Sequence, residues 1–181
     1  SVDSAGDVWI GTTDGLNRFD RKNNHFIRYQ SDIYDPFSLS INEIRSLYED
    51  RSGILWIGTY NGGLNKFDRE KEYFIRYQTD PDDSQSLSDN RVLSVYIDRS
   101  GILWIGTLRG LHRCDPQQER FPLYQANSDD PYSFHNRVLA LYEDQAGELW
   151  LGTQSGLKQF DRKAEQFAHY QTDPVFSIYE D

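Results

Sequence analysis

An all-β fold, a β-propeller of four-stranded antiparallel meander blades in four repeats, is what this sequence predicts, on three observations. The four tryptophans, Trp9, Trp56, Trp104 and Trp150, recur at spacings of 47, 48 and 46 residues. Around each lies one short segment, seen whole as Gly53-Ile54-Leu55-Trp56-Ile57-Gly58-Thr59. Between successive copies fall runs of strand-like sequence separated by turn residues, with no 3.6-residue period and no helix caps. Units of about 40 to 50 residues holding four short strands are the pattern of propeller blades. The repeats run approximately over 1–41, 42–89, 90–135 and 136–173, with 174–181 a further first strand.

The strands follow from local chemistry. Strand A, whole at residues 44–50, 92–98 and 138–144, alternates large apolar with small or polar residues, the period of two of a pleated strand. Asp50-Arg51-Ser52-Gly53 and its copies at Asp98 and Asp144 are turns, with the carboxylate bonding backbone amides ahead and Gly accepting a positive φ. Strand B is the Trp segment, nearly continuous apolar sequence that suits a strand covered on both faces. Glycine two residues after each Trp lets a neighbouring backbone or ring come close. Strand C opens on Gly-Leu and ends at Phe19, Phe67, Cys114 and Phe160, where Cys114 reads as a small apolar substitute for Phe. Strand D is expected at Phe26–Gln30, Phe74–Gln78, Phe121–Gln125 and Phe167–Gln171. The longest connections, such as 79–90, are rich in Pro, Asp and Ser and read as loops.

Because the chain opens inside a repeat and closes on a strand A, the ring has three ways to continue. Residues 175–180 pair with 8–12 and close four blades, or pair with another copy of the chain by self-association, or begin a fifth blade. A segment of a longer propeller is the expected case.

Composition narrows the function classes. Nineteen Lys and Arg against 29 Asp and Glu give a formal charge of −10. With no basic stripe, nucleic acid is not an expected partner, since phosphate affinity comes from clustered cations. One cysteine excludes an internal disulfide and any Cys-based metal site. No run approaches the ~18 apolar residues of a membrane helix, and no secretory signal opens the chain.

The run Asp-Arg-Ser-Gly-Ile-Leu-Trp-Ile-Gly-Thr, then Gly-Gly-Leu-Asn-Lys-Phe-Asp, Tyr-Phe-Ile-Arg-Tyr-Gln and Ser-Leu-Ser-Asp-Asn, resembles the two-component regulator propeller repeat. The fourth copy departs from it by losing the Ser-Leu-Ser-Asp-Asn loop. The resemblance implies a periplasmic sensor domain ahead of a Tyr-rich immunoglobulin-like domain, a membrane helix and a histidine kinase or diguanylate cyclase, with oligosaccharides as ligands in relatives.

In a meander blade the A–B and C–D turns share one face, and the B–C and D–A connections share the other. The second face varies between copies and is the candidate ligand face. Its candidate residues are Tyr60, Asn61, Arg109 and Gln154 from the B–C connections and Arg91, His135 and Arg137 near the start of strand A. A sugar would stack on Tyr60 and be hydrogen-bonded by Arg109 and Asn61. Asp50, Asp98 and Asp144 recur at one turn and read as structural, and Asn42, Asn90 and Asn136 as turn formers. His25, His112, His135 and His169 fall at different points of the repeat, so no metal site is expected. No cofactor motif and no catalytic pair occurs, and the chain is not expected to be an enzyme. A lyase-type propeller enzyme is the third reading, with only His135 suitably placed. The second is a protein-interaction or dimerisation scaffold, for which Phe37, Tyr132 and Phe134 would supply an apolar patch.

Overall fold

The computed structural model describes residues 2–4, 6–116, 118–124 and 137–180. Four antiparallel sheets carry the chain in order. The first holds β1 (Val8–Thr12), β2 (Gly15–Asp20) and β3 (His25–Tyr29). The second holds β4 (Ile44–Glu49), β5 (Leu55–Thr59), β6 (Leu64–Asp68) and β7 (Tyr73–Tyr77). The third holds β8 (Val92–Ile97), β9 (Leu103–Thr107), β10 (Gly110–Cys114) and β11 (Leu123–Tyr124). The fourth holds β12 (Val138–Glu143), β13 (Leu149–Thr153), β14 (Gly156–Asp161) and β15 (Gln166–His169). Each is a blade in which sequence neighbours pair. Among the described residues no helix is long and apolar enough to cross a membrane.

The third strand D is shorter than the sequence predicts. Only Leu123 and Tyr124 join the ladder, because Pro122 has no N–H to give and Phe121 turns into the core. Gln125, the expected end of that strand, lies outside the described residues.

Blades stack through the Trp strand. Trp9 stacks on Tyr29 of its own blade, centroids 5.9 Å apart, and meets Phe67 of the next blade edge-on at 5.5 Å. Trp104 repeats this with Tyr124 and Phe160. Trp56 has Cys114 where a Phe would stand; Phe121 fills the gap and packs on Tyr77 at 5.2 Å. The buried thiol is held in that apolar cluster, and burial pushes its pKa up to about 12, so it packs rather than reacts. Trp150 packs on Tyr170 at 5.0 Å.

The glycine after each Trp seats the next blade. A Cβ on Gly11 would lie 2.9 Å from Ile44 Cβ, on Gly58 2.8 Å from Val92 Cγ1, and on Gly106 2.7 Å from the Val138 carbonyl. On Gly152 it would lie 2.7 Å from the Val175 carbonyl. Val175 thus takes the seat that Ile44, Val92 and Val138 take, and its N–H donates to the Thr153 carbonyl at 3.0 Å. Further along, Glu180 accepts the Gln145 N–H at 3.0 Å, as Glu143 accepts that of Arg99 at 2.8 Å and Glu49 that of Ser4 at 3.0 Å. Residues 174–180 therefore lie against the fourth blade in the place a strand A would take, without forming a strand. They make no ladder with β1, whose only strand partner among the described residues is β2.

A charged clamp closes two of the three seams on the A–B turn face. Asp3 accepts the Trp9 indole N–H at 2.7 Å and Arg69 of the next blade at 2.8 Å, and Arg69 also lies 3.3 Å from Glu49. Asp98 accepts the Trp104 indole at 2.8 Å, and Arg162 sits 3.3 Å from Asp98 and 3.0 Å from Glu143. Each guanidinium also covers its Trp ring, at 5.6 and 5.8 Å. Burial pushes the Asp98 carboxyl up, but bonds from Ser100, Trp104 and Ile102 and the Arg162 charge outweigh it and hold the pKa below the ordinary value.

Candidate ligand-binding face

The two long D–A loops among the described residues are each fixed by their own side-chain turns, which is why so polar a stretch holds one shape. In the 31–42 loop Asp32 accepts the Tyr34 N–H at 2.8 Å, Asp35 that of Phe37 at 2.9 Å, and Ser38 Oγ that of Asp32 at 2.8 Å. The 79–90 loop repeats all three, from Asp82 to Asp80 at 3.0 Å, Gln85 to Asp83 at 2.9 Å and Asp80 to Ser86 at 2.9 Å. Asn42 and Asn90 close the loops by accepting the Ser31 and Thr79 amides at 2.7 and 2.8 Å.

Behind each loop a leucine, Leu39 or Leu87, plugs the core, and strand C of the next blade braces the following serine. Asn65 accepts the Ser40 N–H at 2.9 Å and donates to Ser40 Oγ at 2.8 Å. His112 takes this place in the third blade, with Nδ1 2.9 Å from the Phe121 carbonyl and Nε2 accepting the Ser88 N–H at 3.2 Å. That pattern requires the neutral ring with its proton on Nδ1. Burial lowers the His112 pKa, partly offset by the bond to Phe121.

On this frame sits Asp89, a buried carboxylate. Arg91 grips it with two prongs, Nε at 2.8 Å and NH2 at 2.6 Å, and Arg109 Nε lies 3.6 Å away. Burial raises the Asp89 pKa, but the Arg91 bonds and the Arg109 charge more than offset it and leave the carboxyl below its ordinary value. Beside the cluster a cleft of about 650 Å³ opens between the 79–90 loop and Arg109, floored by Leu87 and Leu123. Tyr60 lies one step further along: it bridges to Arg91, and its N–H donates to the Glu43 carbonyl at 2.9 Å. The Arg45 guanidinium stands 4.9 Å from the Tyr60 ring centre and pairs with Glu43, so one face of that ring is already covered.

The sequence-predicted residues thus fall into two groups. Arg91 and Arg109 meet at Asp89 and Tyr60 bridges to Arg91, while Arg137 donates to Gln154 Oε1 at 2.8 Å in the fourth blade. Asn61 is exposed at a left-handed turn, φ 82°. His135, Tyr132 and Phe134 lie outside the described residues. Asp89, Glu43 and Arg45 were missed. The signal for Asp89 was a paired change between copies, since Ile41 and Glu43 of one loop become Asp89 and Arg91 in the next. Among the described residues no group of three or more His, Cys, Asp or Glu could hold a metal.

The pattern of the two component regulator propeller family matches residues 38–61, 86–109 and 133–155, each running from the end of a D–A connection through strand A and the Trp strand. Three of the four repeats of this chain thus carry the two-component regulator propeller pattern. Among solved structures, the extracellular domain assigned to a hybrid two component system of B. thetaiotaomicron is 26% identical with a TM-score of 0.68. That match covers 93% of this chain and 29% of the other. The extracellular domain assigned to a one component system of the same organism is 22% identical over 97% of this chain and 23% of its own, TM-score 0.77. A virginiamycin B lyase from Staphylococcus aureus is 12% identical over 97% of this chain and 55% of its own, TM-score 0.68, a likeness of fold alone. The chain therefore spans only a quarter to about half of these proteins' lengths. No curated protein sequence matches it.

Proposed function

We propose that this chain is part of a ligand-sensing, extracytoplasmic propeller of a bacterial signal-transduction receptor, located in the periplasm, and that it binds rather than catalyses. The observation that carries the reading is the cleft beside Arg91, Asp89 and Arg109, polar groups held rigidly on the face where blades differ. The repeat family and the receptor ectodomains it resembles support the sensor role. An oligosaccharide suits the site: Arg109 offers exposed planar donors, and the loop lines the cleft with the Ser84 hydroxyl and the Asp83 carboxylate.

The test is calorimetric titration of the folded protein with neutral and uronic-acid oligosaccharides. At least one should bind saturably, and Arg109→Ala should weaken it tenfold or more while the melting temperature stays within a degree or two, the side chain being largely exposed. Equal affinity in variant and wild type would overturn the assignment of this cleft.

A protein-interaction scaffold is the second reading, favoured by Ile33, Tyr34 and Phe37, which are 88%, 90% and 58% exposed on the 31–42 loop.

A further inference from the structure

The seam between the second and third blades lacks the clamp that closes its two neighbours. In the repeat, Arg69 and Arg162 follow Phe67-Asp68 and Phe160-Asp161, and the residue after Cys114-Asp115 is Pro116. Glu49 and Glu143 close their strands A after Tyr48 and Tyr142, and the residue after Tyr96 is Ile97. The arginine that pairs with the turn aspartate and the glutamate that pairs with that arginine are thus both replaced by apolar groups at one seam. Asp50 nevertheless keeps the turn: it accepts the Ser52 and Ile54 amides at 2.8 and 3.0 Å and the Trp56 indole at 3.1 Å. Among the described residues no Lys, Arg or His pairs with it.

A groove of about 440 Å³ opens there, with Asp50 at one wall and Ile54, Ile97, Ile102 and Pro116 along its length. We infer that this groove receives an arginine side chain presented by a partner polypeptide, its guanidinium on Asp50 and its methylene stem on Ile97 and Pro116. The warrant is internal: at the two sibling seams the same turn carboxylate, bonded to its indole in the same way, holds a guanidinium at 2.8 and 3.3 Å. The apolar length of the groove matches the stem of arginine, and the carboxylate matches its fork. The contact stops at Asp50, since the Trp56 ring is fully buried and Lys66, paired with Glu119 of the third blade, already stands 5.6 Å from its centre. Arg51 stands at the rim, exposed, and its charge opposes the incoming cation. The site lies on the opposite face from the ligand cleft, so it stands or falls independently of it.

Titrating the ¹⁵N-labelled protein with N-acetyl-arginine amide, and separately with its neutral isostere N-acetyl-citrulline amide, tests the site. The arginine probe should shift the Ser52, Ile54 and Gly101 amides saturably, with a Kd of millimolar order for so small a ligand, and citrulline should not. Arg51→Ala should tighten binding two- to threefold. Ile97→Glu with Pro116→Arg, which builds the clamp in place, should abolish it. Equal shifts from both probes, shifts elsewhere, or none from the arginine probe overturn the proposal, and these readings need only the wild-type protein.

Discussion

On the A–B turn face, Asp3, Asp50, Asp98 and Asp144 each accept their own tryptophan's indole N–H, at 2.7, 3.1, 2.8 and 2.7 Å. On the opposite face the 31–42 and 79–90 loops share a hydrogen-bonded frame, yet the side chains they present differ. Tyr34 and Phe37 on one loop become Asp82 and Gln85 on the next, held by matching backbone bonds. The difference separates two uses of repetition. Where a side chain must satisfy a buried indole and turn amides, the geometry admits one residue type; where the backbone is satisfied by Asp and Ser within the loop, the tips are free to vary.

The largest effect should come from the shared part. Trp56→Ala removes a fully buried ring between two blades and should cost about 3 to 5 kcal/mol in urea unfolding. A loss under 1 kcal/mol would mean the blades do not depend on the Trp strand. Next comes the turn acid. Asp98→Ala strands the Trp104 indole and Arg162 together and should cost about 2 kcal/mol or more. Asp50→Ala, with an indole but no arginine to abandon, should cost about 1 kcal/mol less. Equal losses would show that the clamp adds nothing to the seam.

A smaller effect separates the two braces behind the loops. His112 must be neutral to accept from Ser88, and its pKa is lowered in the fold. The unfolded chain, titrating near 6.5, takes up the proton first, so the stability His112 contributes is full above that pH and is lost as pH falls toward its folded pKa. The limiting slope is about 1.4 kcal/mol per pH unit for one proton. His112→Asn, which copies Asn65, should flatten the stability profile between pH 7 and 5 in parallel chemical melts. An unchanged slope would place the acid sensitivity elsewhere.

Much of this architecture was legible in the sequence because each blade repeats one set of contacts. Trp, the glycine two residues on and the Asp turn each have one job, so recurrence identified them, and Asn42 and Asn90 close loops as their position suggests. What stayed hidden depends on the neighbouring blade. Arg69 and Arg162 sit in C–D turns that look solvated, and only the stack of blades brings them onto Asp3 and Asp98. Asp89 read as one more polar loop residue, since nothing local announces that Arg91 and Arg109 converge on it. Residues 174–180 share their pattern with every strand A, and that pattern does not say which blade they join; the contact of Val175 with Gly152 puts them beside the fourth blade, as a closed ring, a second copy or a further blade would each require.

The smallest effect concerns a loop tip. Tyr34 is almost wholly exposed, and its backbone N–H, not its ring, ties it to Asp32. Tyr34→Asp, the residue that the 79–90 loop carries at Asp82, should therefore leave unfolding free energy within about 0.5 kcal/mol of wild type. If the tip is a docking surface, the same substitution should reduce association with whatever it docks on while the melt is unchanged. A melt that drops by several degrees would mean that the ring packs on something and that the two loops are not interchangeable frames.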